Sequence, residues 1–133
     1  INPHHYCMPV VKNEKDLLAL RKAACFDNNK FFLGTDSAPH HTNDKIQNES
    51  LKAGIFSSPC SLELYVNIFE EENALEHFEK FSSINGPEFY GLAVNKEFLT
   101  LNKKEMNVPE YTEEGNIRIK NFFAGKKINW KVS

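Results

Sequence analysis

One aspartate and one histidine carry the clearest chemical potential in this sequence. Asp36 lies in Gly34-Thr35-Asp36-Ser37-Ala38-Pro39-His40, directly after the apolar triplet Phe31-Phe32-Leu33. A carboxylate just past a strand end can bind a hard or borderline metal through oxygen, and it can accept a proton. Asp-Ser before Ala-Pro is also good turn chemistry, so a structural turn or cap is the competing reading. His40, four residues on, could ligate a metal, shuttle a proton or pair with an anion. His4-His5 and His40-His41 look like ligand pairs, but adjacent side chains diverge. His5 and His41 therefore read as ordinary surface or loop histidines. The chain has no GxGxxG, P-loop, GxSxG or HExxH motif. Cys7, Cys25 and Cys60 show no CxxC spacing and read as small apolar residues, free thiols of a reducing compartment. Glu70-Glu71-Glu72 reads as a solvated helix face.

The elements that must position Asp36 can be read from spacing. Tyr6 to Val11 is an apolar run broken by Pro9, as at the end of a buried strand. Asn13-Glu14-Lys15-Asp16 predicts a helix start, with Asn13 as cap and acids at the positive end of the dipole. Leu17, Leu20, Arg21 and Ala24 follow at helical spacing, Arg21 lending its aliphatic stem. Asp27-Asn28-Asn29 ends that helix, and Phe31-Phe32-Leu33 predicts a second strand. Strand, helix, strand is the pattern of a parallel sheet, which puts Asp36 at a C-terminal strand end.

Residues 40 to 59 are polar and without period, which predicts a long loop. Pro59 precedes a helix with Leu62, Tyr65, Val66 and Phe69 on one face. Asn73-Ala74-Leu75-Glu76 resembles a capping box opening a second helix, which Asn85-Gly86-Pro87 would stop. Phe98 to Leu101 predicts a short strand. Ile117 to Phe123 is left between short helix and irregular segment, and alternating Ile128, Trp130 and Val132 predict a final strand.

Composition narrows the classes. The chain has 133 residues, 41% hydrophobic and 26% charged, which suits one globular domain. Eleven Phe, four Tyr and one Trp could fill a core. A net charge of -2 gives no electrostatic case for nucleic acid or an anionic membrane. No apolar run approaches the ~20 residues of a spanning helix. The first residues lack the features of a signal peptide, and the missing initiator Met suits a fragment or processed product.

The run Gly34 to His40 resembles the bacterial-type (class II) dihydroorotases of the amidohydrolase superfamily. Further blocks carry the likeness in family order. Pro3-His4-His5-Tyr6-Cys7-Met8-Pro9 resembles the segment after the seventh barrel strand. Residues 69–79 and 83–92 resemble the C-terminal helices, and Phe123-Ala124-Gly125 with Trp130 resembles the closing segment. The blocks cover essentially the whole chain.

The resemblance implies an α/β fold: the C-terminal part of a TIM (β/α)8 barrel, its last two βα units, plus C-terminal helices and short strands, as one domain portion over residues 1–133. It implies a cytoplasmic, zinc-dependent enzyme that interconverts L-dihydroorotate and N-carbamoyl-L-aspartate in pyrimidine synthesis. Asp36 matches the aspartate that binds one ion of a zinc pair and relays a proton. His40 matches a histidine on the substrate carboxylate. Met8 matches a position whose backbone meets the substrate ring. Ala53 and Gly54 fall, across an apparent insertion, where the family has a backbone contact to the substrate carboxylate. The remaining metal ligands of the family precede the region covered here. A full barrel needs ~250 residues, so this chain is expected to be inactive alone and to need the N-terminal portion of the barrel as partner. Dimers are common in the family. Two other readings stand beside this one: a catalytically dead homologue serving assembly, and an unrelated small α/β binding module.

Overall fold

The computed structural model describes residues 2–9, 13–47 and 51–133. The chain forms two compact units interleaved in sequence. The first comprises Ile1–Val11, Thr35–Ser61 and Glu105–Ile128, and the second Lys12–Gly34, Leu62–Lys104 and Asn129–Ser133.

In the second unit, α1 spans Glu14–Cys25, and Asn13 accepts the Asp16 N–H at 3.1 Å, the cap expected from sequence. Cys25 is buried, with Ala24 packed beside the same core. Leu17 and Leu20 remain more than half exposed, so the inward face expected of them is uncovered among the described residues. Arg21 does more than lend its stem. Its guanidinium lies 2.6 Å from Glu71 and 2.8 Å from Glu72. The acidic triplet is correspondingly not a bare solvated face. Glu70 accepts from Trp130 Nε1–H at 2.9 Å and pairs with Lys103.

Helix α3 is Ser61–Glu71, and its spacing buries Val66 and Phe69 as expected. Its end corrects the capping-box reading. Asn73 is left-handed at φ 54 and closes α3: its N–H reaches Glu70 O, and Ala74 N–H reaches Phe69 O. This is a Schellman ending with Asn in the glycine position. The following stretch runs as a 3-10 turn at Leu75–His77, a π-helical turn at Lys80–Ile84 and α4 at Asn85–Tyr90. Asn85-Gly86-Pro87 thus opens α4 instead of stopping a helix. Pro87 sits in the first turn, where its missing N–H costs nothing. Gly91, at φ 66, ends α4. The core of this unit is Cys25, Phe69, Ala74 and Phe81, with Phe31, Leu33, Tyr65 and Phe78 against it. The Phe69 ring centroid is 5.2 Å from that of Phe78 and 5.1 Å from that of Phe81.

Phe31-Phe32-Leu33 forms no strand ladder among the described residues. Leu33 N–H bonds Phe81 O at 3.0 Å, and Asn85 Nδ2 donates to Phe31 O at 2.8 Å. Helical partners take the bonds that a neighbouring strand would take. Pro3–His5 is a 3-10 turn capped by Asn2, and Tyr6–Pro9 is not a strand. Val10 and Val11, the rest of that expected strand, lie outside the described residues.

The strands lie later in the chain. β1 (Leu101–Asn107) pairs with β4 (Lys127–Val132), the latter alternating as the sequence predicts. β1 begins where the strand predicted for Phe98 to Leu101 would end, and Phe98 stays 82% exposed. In the first unit, β2 (Tyr111–Glu114) and β3 (Ile117–Lys120) form an antiparallel hairpin, Tyr111 opposite Lys120 and Glu114 opposite Ile117. This overturns both alternatives read for Ile117 to Phe123, short helix or irregular segment: its first four residues are strand. Gly115, at φ 56, heads the two-residue turn, the place where a type II′ hairpin wants glycine. The fold is therefore mixed helix and strand. Among the described residues no helix is long and apolar enough to cross a membrane.

Candidate functional site

The run Thr35 to His40 belongs to the first unit, and side-chain and backbone bonds fasten it to residues 53–58. Ser37 Oγ accepts the N–H groups of Ser57 and Ser58, each at 3.0 Å. Ala38 N–H donates to Ile55 O at 3.0 Å. His40 Nε2 lies 2.9 Å from Ala53 O. A carbonyl can only accept, so Nε2 carries the proton and Nδ1 is left for another partner.

Asp36 sits at the free end of this zipper. Its φ is 42, a left-handed conformation that costs a non-glycine residue energy and is tolerated best by Asp and Asn. Its carboxylate is exposed and makes no hydrogen bond or ion pair among the described residues. The turn-cap alternative requires that carboxylate to accept backbone N–H groups. Ser37 and not Asp36 does so.

His40 and Ala53 are thus brought together. Met8 is 57% exposed, and no bond links it to Asp36, His40 or Ala53. His41, expected as an ordinary surface or loop histidine, has a structural role. Its Nδ1 accepts Asn43 N–H at 3.1 Å, capping α2 (Thr42–Ile46), and its Nε2 meets Asn116 O at 3.2 Å. His5 stacks edge-on against Phe122. Burial, then the nearby Lys120, Lys45 and His5, hold His4 below the ordinary imidazole value. Among the described residues the three cysteines form no disulfide, and Cys25 and Cys60 are buried.

Two residues assigned no structural role from sequence shape this region. The stretch read as a long loop contains α2, whose Lys45 is buried. Gly54, at φ 147, is the other. A Cβ there would stand 2.7 Å from Ala38 Cβ and 2.9 Å from His40 Nε2, so only glycine lets the segment lie this close. Apart from the family resemblance at Ala53-Gly54, neither had a signal in the sequence beyond a lysine and a glycine in polar surroundings.

For a metal, Asp36 offers one oxygen donor of suitable kind. Zinc sites use three or four protein ligands. Among the described residues no three His, Cys, Asp or Glu side chains gather to hold an ion. The donor set fits as one corner of a centre. A cavity of about 1010 Å³ in the second unit, lined by Leu62, Phe78, Ile84, Val94 and Phe98 among others, includes none of the candidate residues.

Comparison with known proteins places this geometry in context. No family model matches the chain. It is 50% identical over 132 residues to a dihydroorotase of Erythrobacter litoralis, an alignment spanning 99% of this chain and 38% of the relative. A Yersinia enterocolitica dihydroorotase is 46% identical with the same shares, and one from Serratia marcescens is 42% identical with 64% of its length covered. Among solved structures, dihydroorotase of Saccharomyces cerevisiae in complex with 5-fluoroorotic acid superposes with a TM-score of 0.92 at 38% identity, over 99% of this chain and 38% of that one. The Campylobacter jejuni dihydroorotase gives 0.87 at 30% identity, over 100% and 38%. The chain spans well under half the length of most of these relatives.

Proposed function

We propose that this chain, which belongs to the dihydroorotase family and matches its C-terminal portion, supplies one side of a zinc-dependent dihydroorotase active site in the cytoplasm. It would contribute the last two βα units of the barrel. The substrate class is L-dihydroorotate and N-carbamoyl-L-aspartate, and the partner is the N-terminal portion of the same barrel. The observation carrying this reading is the exposed, unbonded carboxylate of Asp36, held left-handed at the end of a segment otherwise fastened bond by bond. A carboxylate kept free of internal partners is available to a metal and to a proton.

The roles follow from what each group has left to give. Asp36 would hold one zinc through an oxygen and carry a proton between the attacking water and the ring nitrogen. Zinc, when bound, would polarise the ring carbonyl and make its water a stronger nucleophile. His40 has Nε2–H committed to Ala53 O. It can donate from Nδ1 to a substrate carboxylate only when the ring carries both protons. The Ala53 carbonyl is likewise taken, which leaves its N–H for the same carboxylate. Met8 would meet the ring through its backbone. The remaining zinc ligands would come from the preceding portion of the barrel.

The test is Asp36→Asn in the full-length protein that carries this chain. Asparagine keeps the shape but is a poor zinc ligand and cannot take the proton. Turnover of dihydroorotate is expected to fall by roughly three orders of magnitude or more. Near-parental turnover in the variant would refute the assignment. The 133-residue chain alone is expected to show no turnover.

A further inference from the structure

Lys45 is the most unusual side chain in the first unit. It is 3% exposed, although it stands in a polar stretch. Its Nζ lies 2.9 Å from Tyr6 O, 2.8 Å from Lys52 O and 2.7 Å from Gly54 O. An ammonium has three N–H donors, and three carbonyls receive them. The Tyr6 ring, 5.9 Å away, adds a weak cation–π contact.

These carbonyls come from two segments remote in sequence. Tyr6 precedes Met8 by two residues, and Lys52 and Gly54 flank Ala53. Gly54 N–H also bonds Tyr6 O at 3.0 Å, so Tyr6 O is shared between the lysine and the segment it holds. In the Lys52-Ala53-Gly54 run the outer two carbonyls go to Lys45, and the middle one goes to His40. Fixing the outer pair fixes the direction of the middle peptide.

We propose that Lys45 is a positioning residue: its ammonium clamps the Tyr6 and Lys52–Gly54 segments together and thereby sets the Ala53–His40 subsite for the substrate carboxylate. Lysine suits this task because its donors diverge tetrahedrally from one atom, whereas the flat arginine fork cannot meet three converging carbonyls. Burial draws the ammonium below the ordinary lysine value. The three acceptors act against that, since a neutral amine has only two N–H groups to give. The role assigned to Lys45 rests on the reading of His40 and Ala53 as substrate contacts.

The experiment uses the full-length protein with Lys45→Met and Lys45→Arg, and reads two quantities. The first is amide hydrogen exchange at Gly54, whose N–H lies in the clamped run, and at Ala38, whose N–H bonds the adjoining Ile55 carbonyl, with Leu33 of the second unit as control. Lys45→Met is expected to speed exchange at Gly54 and Ala38 and leave Leu33 unchanged. The second is the split between KM and kcat. A loosened carboxylate subsite raises KM for dihydroorotate by roughly tenfold and changes kcat less. Parental exchange rates together with parental KM overturn the proposal. So does a fall in kcat at constant KM. If Lys45→Met does not fold, Lys45→Arg decides, with a smaller rise in KM expected and parental values overturning it. If the parent protein itself turns over no dihydroorotate, the functional reading fails, while the exchange measurement still decides the clamp.

Discussion

In the first unit the buried side chains include Lys45, Ser61 and Asn121 beside Cys60, Val108 and Ile128. In the second they are Cys25, Val66, Phe69, Ala74 and Phe81, with Glu63 and Asn85 as a polar minority. The unit that carries Asp36 is organised by directional bonds from buried polar atoms to backbone carbonyls and amides. The other is organised by interlocking aromatic rings. Directional bonds fix a peptide to within a few tenths of an ångström, which a binding subsite needs. Ring packing tolerates small slides but resists loss of volume. The two units should therefore fail under different insults.

The largest expected effect is in the aromatic unit. Phe69 is 1% exposed and touches two other rings. Phe69→Ala removes that apolar area and leaves a cavity, which costs about 3–5 kcal/mol. Chemical denaturation of the full-length protein should show that loss, and exchange at Gly54 should change only as global stability changes. A cost below about 1 kcal/mol would mean that the ring is not the centre of its core.

A middle-sized effect tests the polar unit. Asn121 is 4% exposed. Its Nδ2 donates to Pro109 O at 3.0 Å, and its Oδ1 accepts from Thr112 Oγ1 at 2.8 Å. Asn121→Leu keeps the number and branching of the side-chain heavy atoms and strands both partners. The expected cost is about 1–3 kcal/mol, since buried partners lose their bonds and gain no water. Asn121→Asp keeps the acceptor but loses the donor to Pro109 O, and buries a charge beside that carbonyl. If leucine is as stable as asparagine, apolar packing and not bonding holds this unit, and the contrast collapses.

Legibility in the sequence divides along the same line. The α1 cap, the buried stripe of α3 and the alternation of β4 were readable because local chemistry or a sustained period sets each. The helix α2 has five residues and no period. It is held because His41, an uncommon cap, caps it, and because the buried Lys45 reaches the Tyr6 carbonyl, which no window of neighbours contains. Asn73 looked like a helix opener because Asn caps well. It also tolerates the left-handed region better than most residues, and here that second property won. The strand at Ile117–Lys120 was missed because four residues are too few to distinguish alternation from chance. Of the candidate site, Asp36 and His40 stood out by residue type, while the strand end expected to place Asp36 forms no ladder among the described residues. Lys45 and Gly54 act through backbone partners whose proximity only the fold creates.

The smallest expected effect is on pH, and it separates the units by where acid acts. In the first unit His4 is held below the ordinary imidazole value, first by burial and then by Lys120, Lys45 and His5. The folded state therefore binds its proton less readily than the unfolded chain does. The unfolded chain holds more protons as pH drops below about 6.5, so stability falls from there down to the lowered folded value. In the second unit Glu70 is held below the ordinary carboxylate value, first by its bond from Lys103 and then by that from Trp130. Its contribution is intact above the unfolded value of 4.5 and is lost only as pH falls through the lower folded value. Both slopes have the same sign, but their windows do not coincide. Between about pH 6.5 and 5, protection against amide exchange, taken relative to the intrinsic rate at each pH, should fall at Ala38 and Gly54 before it falls at Leu33. His4→Gln should flatten that early step and leave the later one, and Glu70→Gln should do the reverse. Simultaneous loosening of both sets of amides, unmoved by either substitution, would show that the two units share one response to acid, and the difference between them would be one of composition alone.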